Sequence, residues 1–127
     1  MSNVVFVPSL CKDQVIDKDG EPEVEPAKFK GELVLKRPNF EQREEYKKHL
    51  LNLKFKEGKV QLNQDSVTDM VGLVKDSVSH YVKVDLEKIE TGEKYKSFDD
   101  LSYDVACDPI LYEVGIQLVT GFPMGKS

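Results

Sequence analysis

The segment GFPMGKS, Gly121 to Ser127, carries the Gly-Lys-Ser triplet that closes a phosphate-binding loop. Such a loop needs four residues between its first glycine and that triplet, so that successive backbone N–H groups can wrap a phosphate. Only three separate Gly121 from Gly125. The segment therefore reads as a helix terminator, with Gly121 at the left-handed position and Pro123 preventing re-entry, followed by a flexible tail over residues 122–127. Other chemistry-bearing residues fare no better. Ser77 and Ser79 lie close to His80 in the chain, but helical neighbours diverge around the axis and cannot form a nucleophile–base pair. Cys107, at a helix amino end, has no histidine close in sequence, and the carboxylate of Asp108 opposes its thiolate. Asp85 and Glu87 share one face of a strand and have the types of an acid–base pair. Nothing around them predicts a closed pocket, so a solvated strand face is expected.

Metal chemistry is excluded on similar grounds. Cys11 and Cys107 are too few and too far apart for a knuckle or a CxxC pair, and free thiols are expected. Joining them to His49 and His80 would require four distant positions to converge. The acids before Gly20 fail the calcium-loop pattern at its first ligand, where Val15 stands. The expectation is a non-enzyme with no catalytic set, no cofactor and no metal.

The elements that position these residues are legible in outline. NVVFV reads as a strand stopped by Pro8, and Asp19-Gly20 is a hairpin signal between QVIDK and EPEVEP, the latter linker-like. FKGELVLKRP reads as a strand with Leu33 and Leu35 on one side, Val34 on the other and Pro38 closing it. Asn39, three residues before Gln42, starts a helix running to Lys56 whose apolar stripe is Tyr46, Leu50 and Leu53, with Gly58 ending it. His49 is assigned to its surface. A second helix starts at Ser66 and buries Val67, Met70, Val71, Val74, Val78 and Tyr81, with Gly72 allowing close approach of a neighbouring backbone. Val82, Val84 and Leu86 alternate into a hairpin turning near Thr91-Gly92. Ser97 and Asp100 cap a short helix, and Asp108-Pro109 opens a last one burying Ile110, Leu111, Val114 and Leu118.

The fold class that follows is α+β: a small, mostly helical domain over residues 29–121 with a short antiparallel sheet or hairpin, preceded by an extended amino-terminal arm, residues 1–28. The chain of 127 residues suffices for one domain. No apolar run approaches the roughly 20 residues of a membrane span, and MSNVVFVPSLCKD has no basic residue before its apolar stretch, so a cytoplasmic location is expected. Charge is uneven. Residues 1–27 carry two Lys against six acids, residues 28–60 ten Lys or Arg against five, and residues 61–127 six Lys against twelve. Arg43, Lys47, Lys48 and Lys54 gather in the basic middle and are the candidate partner-binding residues. A nucleic-acid role is disfavoured because the acidic flanks repel a phosphate backbone and Tyr46 belongs to the apolar stripe rather than a stacking platform.

The succession LVLKRPNFEQREEY, a basic helix, a valine-rich helix, VKVDLEKIETGEKYKSFDDLSYD and a final helix led by DPILYEVG resembles the small tail assembly chaperones of long-tailed bacteriophages. The resemblance spans about residues 30–121 and leaves the arm outside it. It implies a protein of the host cell cytoplasm that binds the tape-measure protein or tail tube subunits noncovalently, through apolar and charged helical surfaces, and is absent from the finished virion. The other readings are a small virion structural or adaptor protein that self-associates through its arm, and, behind both, a nucleic-acid binder.

Overall fold

Alternation places Leu33 and Leu35 on one side of β4 (Phe29–Lys36), and both are fully buried, as is Phe29 two pairs further along the same face. The computed structural model describes residues 3–50, 54–56, 59–61 and 64–120. In chain order these form β1 (Asn3–Phe6), β2 (Gln14–Lys18), β3 (Glu21–Glu25), β4, α1 (Phe40–Leu50), β5 (Lys54–Lys56), β6 (Lys59–Gln61), α2 (Gln64–Asp76), β7 (Tyr81–Lys88), β8 (Lys94–Tyr95), α3 (Phe98–Tyr103) and α4 (Asp108–Thr120), with single 3-10 turns after β1, α2 and α3. Four strands make one antiparallel sheet in the order β1-β4-β7-β8, while β2–β3 and β5–β6 are separate hairpins. This is the α+β class with a small antiparallel sheet and an extended amino-terminal strand region.

One face of the sheet carries the core. Phe29, Leu33 and Leu35 meet Val84 and Leu86 of β7, Tyr95 of β8, Tyr46 of α1, Met70 and Leu73 of α2, Leu101 of α3, and Ile110, Leu111, Val114, Leu118 and Val119 of α4 in one buried cluster. Burying each large aliphatic side chain contributes roughly 1.5–3 kcal/mol before entropy is counted, so α4, with five of them, is the principal clamp. Helices α1, α2 and α4 pack pairwise against one another. The other face of the sheet shows Glu32 and Lys36 of β4 and Lys83 and Asp85 of β7 to solvent.

Local signals act as the sequence suggests at several ends. Asn39 Oδ1 accepts from the Gln42 amide at 2.8 Å while Gln42 Oε1 accepts from the Asn39 amide at 2.9 Å, a reciprocal capping box. Ser97 Oγ accepts from the Asp100 amide at 3.2 Å, and α4 begins at Asp108. Asp19 (φ 53°) and Gly20 (φ 81°) form the two-residue turn between β2 and β3. Gly31 (φ 122°) sits where the Asp85 carbonyl of β7 crosses its backbone so closely that no Cβ fits.

Several expectations are corrected. The first helix is described over Phe40–Leu50 and does not run to Lys56, because Lys54 lies in β5; the stripe position Leu53 and the expected terminators Gly58 and Gly121 fall outside the described residues. EPEVEP is not a linker: Glu21–Glu25 pairs in full register with β2, and Pro22 stands opposite Asp17 at a non-hydrogen-bonded position, where its missing N–H costs nothing. The second helix opens at Gln64, two residues before Ser66, and ends at Asp76, so Tyr81 begins a strand. Among its described side chains Met70 and Leu73 are buried and Val71 is exposed, as is Val78 beyond its end, while the side chain of Val67 falls outside the described ones. The arm divides: β1 joins the main sheet, and Ser9 fastens it to α4 by giving its backbone N–H and its hydroxyl to the two oxygens of Glu113 at 2.9 and 2.6 Å.

Candidate functional site

Both histidines of the chain belong to one polar seam between α1, α2 and the end of β4. His80 is 1% exposed. Its Nδ1 lies 2.8 Å from the Lys36 carbonyl oxygen, which can only accept, so Nδ1 carries the proton and Nε2 accepts the Tyr46 hydroxyl at 2.8 Å. Burial holds His80 below its ordinary value of 6.5, against the opposing pull of the Lys36 carbonyl. The Tyr46 hydroxyl is also 3.3 Å from the Asp76 carbonyl. One hydroxyl proton serves one acceptor, and the neutral imidazole receives it. A turn further along, on the partly exposed side of α1, His49 Nε2 meets Asp76 Oδ2 at 2.8 Å, a partner on another element that the sequence reading of His49 did not include.

The reason His49 reaches Asp76 is Gly72. A Cβ there would lie 2.8 Å from His49 Cε1, so the glycine makes room for an imidazole rather than for a neighbouring backbone. His80, Tyr46 and Ser77 each face another group of the protein, Ser77 giving its hydroxyl to the Val74 carbonyl at 2.8 Å. Such closure is the pattern of a structural joint.

A different pattern appears at the sheet edge. β8 pairs with β7 only at Leu86–Tyr95 and Glu87–Lys94, so the stretch from Tyr81 to Asp85 has a paired strand on the β4 side alone among the described residues. The Lys88 amide donates to Glu93 at 2.8 Å across the β8 side. By the two-residue period, Leu86 and Val84 turn their amides the same way, and that of Val84 meets no strand. Beside this edge a cleft of about 340 Å³ is lined by Val78, Tyr81, Val82, Val84 and Phe98, with Lys83, Lys96, Ser97 and Asp99 completing its rim.

The cleft owes its shape to a bulge. Val34 pairs with Lys83 but Leu35 with Tyr81, so Val82 is the extra residue. The bulge returns Tyr81 to the core side, where its ring meets Phe98 edge-to-face at 5.0 Å, and leaves Val82 53% exposed. Tyr81 is thereby partly buried, with a hydroxyl sealed from solvent that has no hydrogen-bond partner, and burial pushes its pKa upward. Lysines surround the outer side. Lys96 Nζ meets Asp85 Oδ1 at 2.9 Å, and this contact, supplemented by Lys83 and Lys94, holds Asp85 below the usual carboxylate range. Three ammonium groups thus act on one carboxylate.

The remaining sequence candidates are placed as follows. Arg43 stacks over the exposed ring of Phe40 at 5.8 Å. Lys47 meets Glu44 at 2.9 Å and Lys48 meets Glu45 at 3.6 Å, so the face of α1 is charge-balanced, each exposed pair being worth a few tenths of a kcal/mol. Lys54 does not share that helix. Asp85 and Glu87 are on one face as expected, but each is held by a lysine, Glu87 by Lys30 at 3.7 Å. Cys11 and Cys107 are both free thiols, and burial pushes each up to about 11. Among the described residues no group of three or more His, Cys, Asp or Glu side chains is arranged to hold a metal ion, and no helix is long and apolar enough to cross a membrane.

Sequence reasoning missed the open edge because it depends on which strands pair and for how far. The brevity of KYKS between Gly92 and the Ser97 cap was the available signal: a strand that short cannot cover an eight-residue neighbour. No family model matches this sequence, and no curated protein or solved structure matches it either.

Proposed function

We propose that this protein is a non-enzymatic binding protein that docks other polypeptides along the open edge of β7, and that it acts as an assembly chaperone for phage tails, holding the tape-measure protein or tube subunits. The observation that carries the docking reading is the unpaired Tyr81–Asp85 edge running beside a cleft of mixed apolar and polar lining, an arrangement that accepts an extended segment by strand addition: backbone hydrogen bonds supply affinity and side-chain pockets selectivity. The choice of client rests on the sequence resemblance alone. The charge balance of α1 supports moving the docking site from Arg43, Lys47 and Lys48 to this edge, since a partner there would have to displace existing ion pairs. The same balance weakens the nucleic-acid reading, which needs a continuous basic face.

Co-expression with the tape-measure protein or the tube subunit encoded in the same genome tests the proposal. A soluble complex that survives chromatography and is lost on Val82→Arg is expected; Val82 is exposed, so the substitution leaves the core untouched. A client that precipitates equally with and without this chain contradicts the proposal. A second reading, a structural or adaptor subunit of the virion, is favoured by the exposed valines of the β2–β3 hairpin. Presence of the chain in purified particles separates it from a chaperone, which leaves before completion.

A further inference from the structure

The same chain that carries an open strand edge also carries a strand with a free edge. Lys18 and Glu21 flank the two-residue turn and form the hydrogen-bonded pair of the β2–β3 hairpin, which makes Ile16–Glu23 and Gln14–Glu25 hydrogen-bonded as well. Val15 and Asp17 therefore turn their backbone N–H and C=O groups outward, and no other strand meets them among the described residues. The opposite edge is poorer, because Pro22 has no N–H to offer. Strand β2 spans five residues, and the open stretch of β7 from Tyr81 to Asp85 spans five.

Side chains and charge agree with the backbone. Val15 and Val24 stand side by side on one face of the hairpin, 71% and 61% exposed, an apolar pair that no described residue covers. The acceptor has the matching cleft between Val78, Val82 and Phe98. The hairpin carries Asp17, Asp19, Glu21, Glu23 and Glu25 against Lys18 alone, whereas the acceptor edge places Lys83, Lys94 and Lys96 around Asp85. An acidic strand approaching a lysine-lined edge is steered toward it.

Docking within one molecule is opposed by the sheet. The hairpin is rooted at the Phe29 end of β4, where Lys28 donates its amide to the Leu10 carbonyl at 2.9 Å and the Ala27 amide donates to Asp13 at 2.9 Å. The open stretch of β7 lies at the other end of the sheet, paired with β4 around Leu33, Val34 and Leu35. The donor is thus a second copy.

We propose that β2 of one copy adds to the Tyr81–Asp85 edge of the next. Donor and acceptor are different surfaces, so the contact is head-to-tail, and repetition closes a ring or extends a filament. The inference rests on the reading of the β7 edge as a docking site and names its occupant in the free protein: a client segment must displace a neighbour's hairpin before it binds.

Sedimentation equilibrium of the full chain tests it. Association that depends on concentration is expected, weakened at least about tenfold by Lys83→Glu and by Asp17→Lys, and recovered when the two variants are mixed, because each interface of an alternating assembly then joins opposite charges. Val15→Pro gives an independent variant: it removes an outward amide while sparing the hairpin's own ladder, and it is expected to weaken association to a similar extent. A chain that stays monomeric at high concentration, or association indifferent to all three substitutions, overturns the inference. Client capture by Val82→Arg distinguishes the two levels. Lost capture alongside a monomeric wild type leaves the edge as a client site and overturns only the hairpin pairing, whereas retained capture overturns the edge itself.

Discussion

Tyr81 shows what the bulge at Val82 does at the scale of one residue. Its ring packs against Phe98 in the core while its hydroxyl, sealed from solvent, has no partner. A buried hydroxyl that forfeits water without a replacement costs roughly 1–3 kcal/mol. Tyr81→Phe removes the oxygen and keeps the ring, so it is expected to leave the urea midpoint unchanged or to raise stability by up to about 2 kcal/mol. A loss of more than about 1 kcal/mol in denaturant unfolding would show that the hydroxyl is satisfied in solution. At this scale the sequence was only partly legible. Burial of Leu33, Leu35, Ile110, Leu111, Val114 and Leu118 could be read from spacing. The roles of His49, Gly72 and Tyr81 could not, because the groups they meet lie on other elements.

At the scale of elements, the seam holding α1 to α2 hangs on a neutral imidazole. His80 faces the Tyr46 hydroxyl of α1, itself 3.3 Å from the Asp76 carbonyl of α2, and the Lys36 carbonyl at the end of β4, with no carboxylate in direct contact. Its pKa is lowered in the folded chain, so the unfolded chain takes up a proton first as pH falls. Its contribution is complete above about pH 6.5 and is lost as the pH drops from there toward the folded value. Wild-type stability is therefore expected to fall as pH drops below about 6.5, and His80→Gln, which replaces the titrating ring, is expected to be less stable throughout but flatter there. Parallel profiles for the two proteins in chemical unfolding would assign the slope to other groups.

Helix starts were legible because caps are local: Asn39 with Gln42 and Ser97 with Asp100 each act within four residues, and α4 begins at Asp108 as the Asp-Pro pair suggests. The end of α1 was not. Leu50, Leu51, Leu53 and Phe55 continue a plausible apolar stripe, and nothing in them foretells a strand at Lys54. EPEVE reads as a linker by composition, yet its partner QVIDK holds it in a ladder.

For the whole molecule, the consequence of the topology is asymmetry. One edge of the main sheet is β1, short and fastened through Ser9 to α4; the other is covered by β8 for only two residues. Natural sheets shield long edges, and here a five-residue stretch beside a cleft is left without a strand partner among the described residues. Fold class could be read from the alternation of strand and helix signals, but this opening follows from strand order and from a bulge, both products of nonlocal pairing.

Amide hydrogen exchange at Val84 measures the claim most directly. In the dilute protein the Val84 amide is expected to exchange rapidly while its neighbours bonded to β4 are protected, and protection is expected to appear at Val84 when concentration is raised or a client is added. Slow exchange in the dilute monomer, or exchange at Val84 unaltered by any partner while binding is seen elsewhere on the surface, would contradict the assignment of the β7 edge as the docking site.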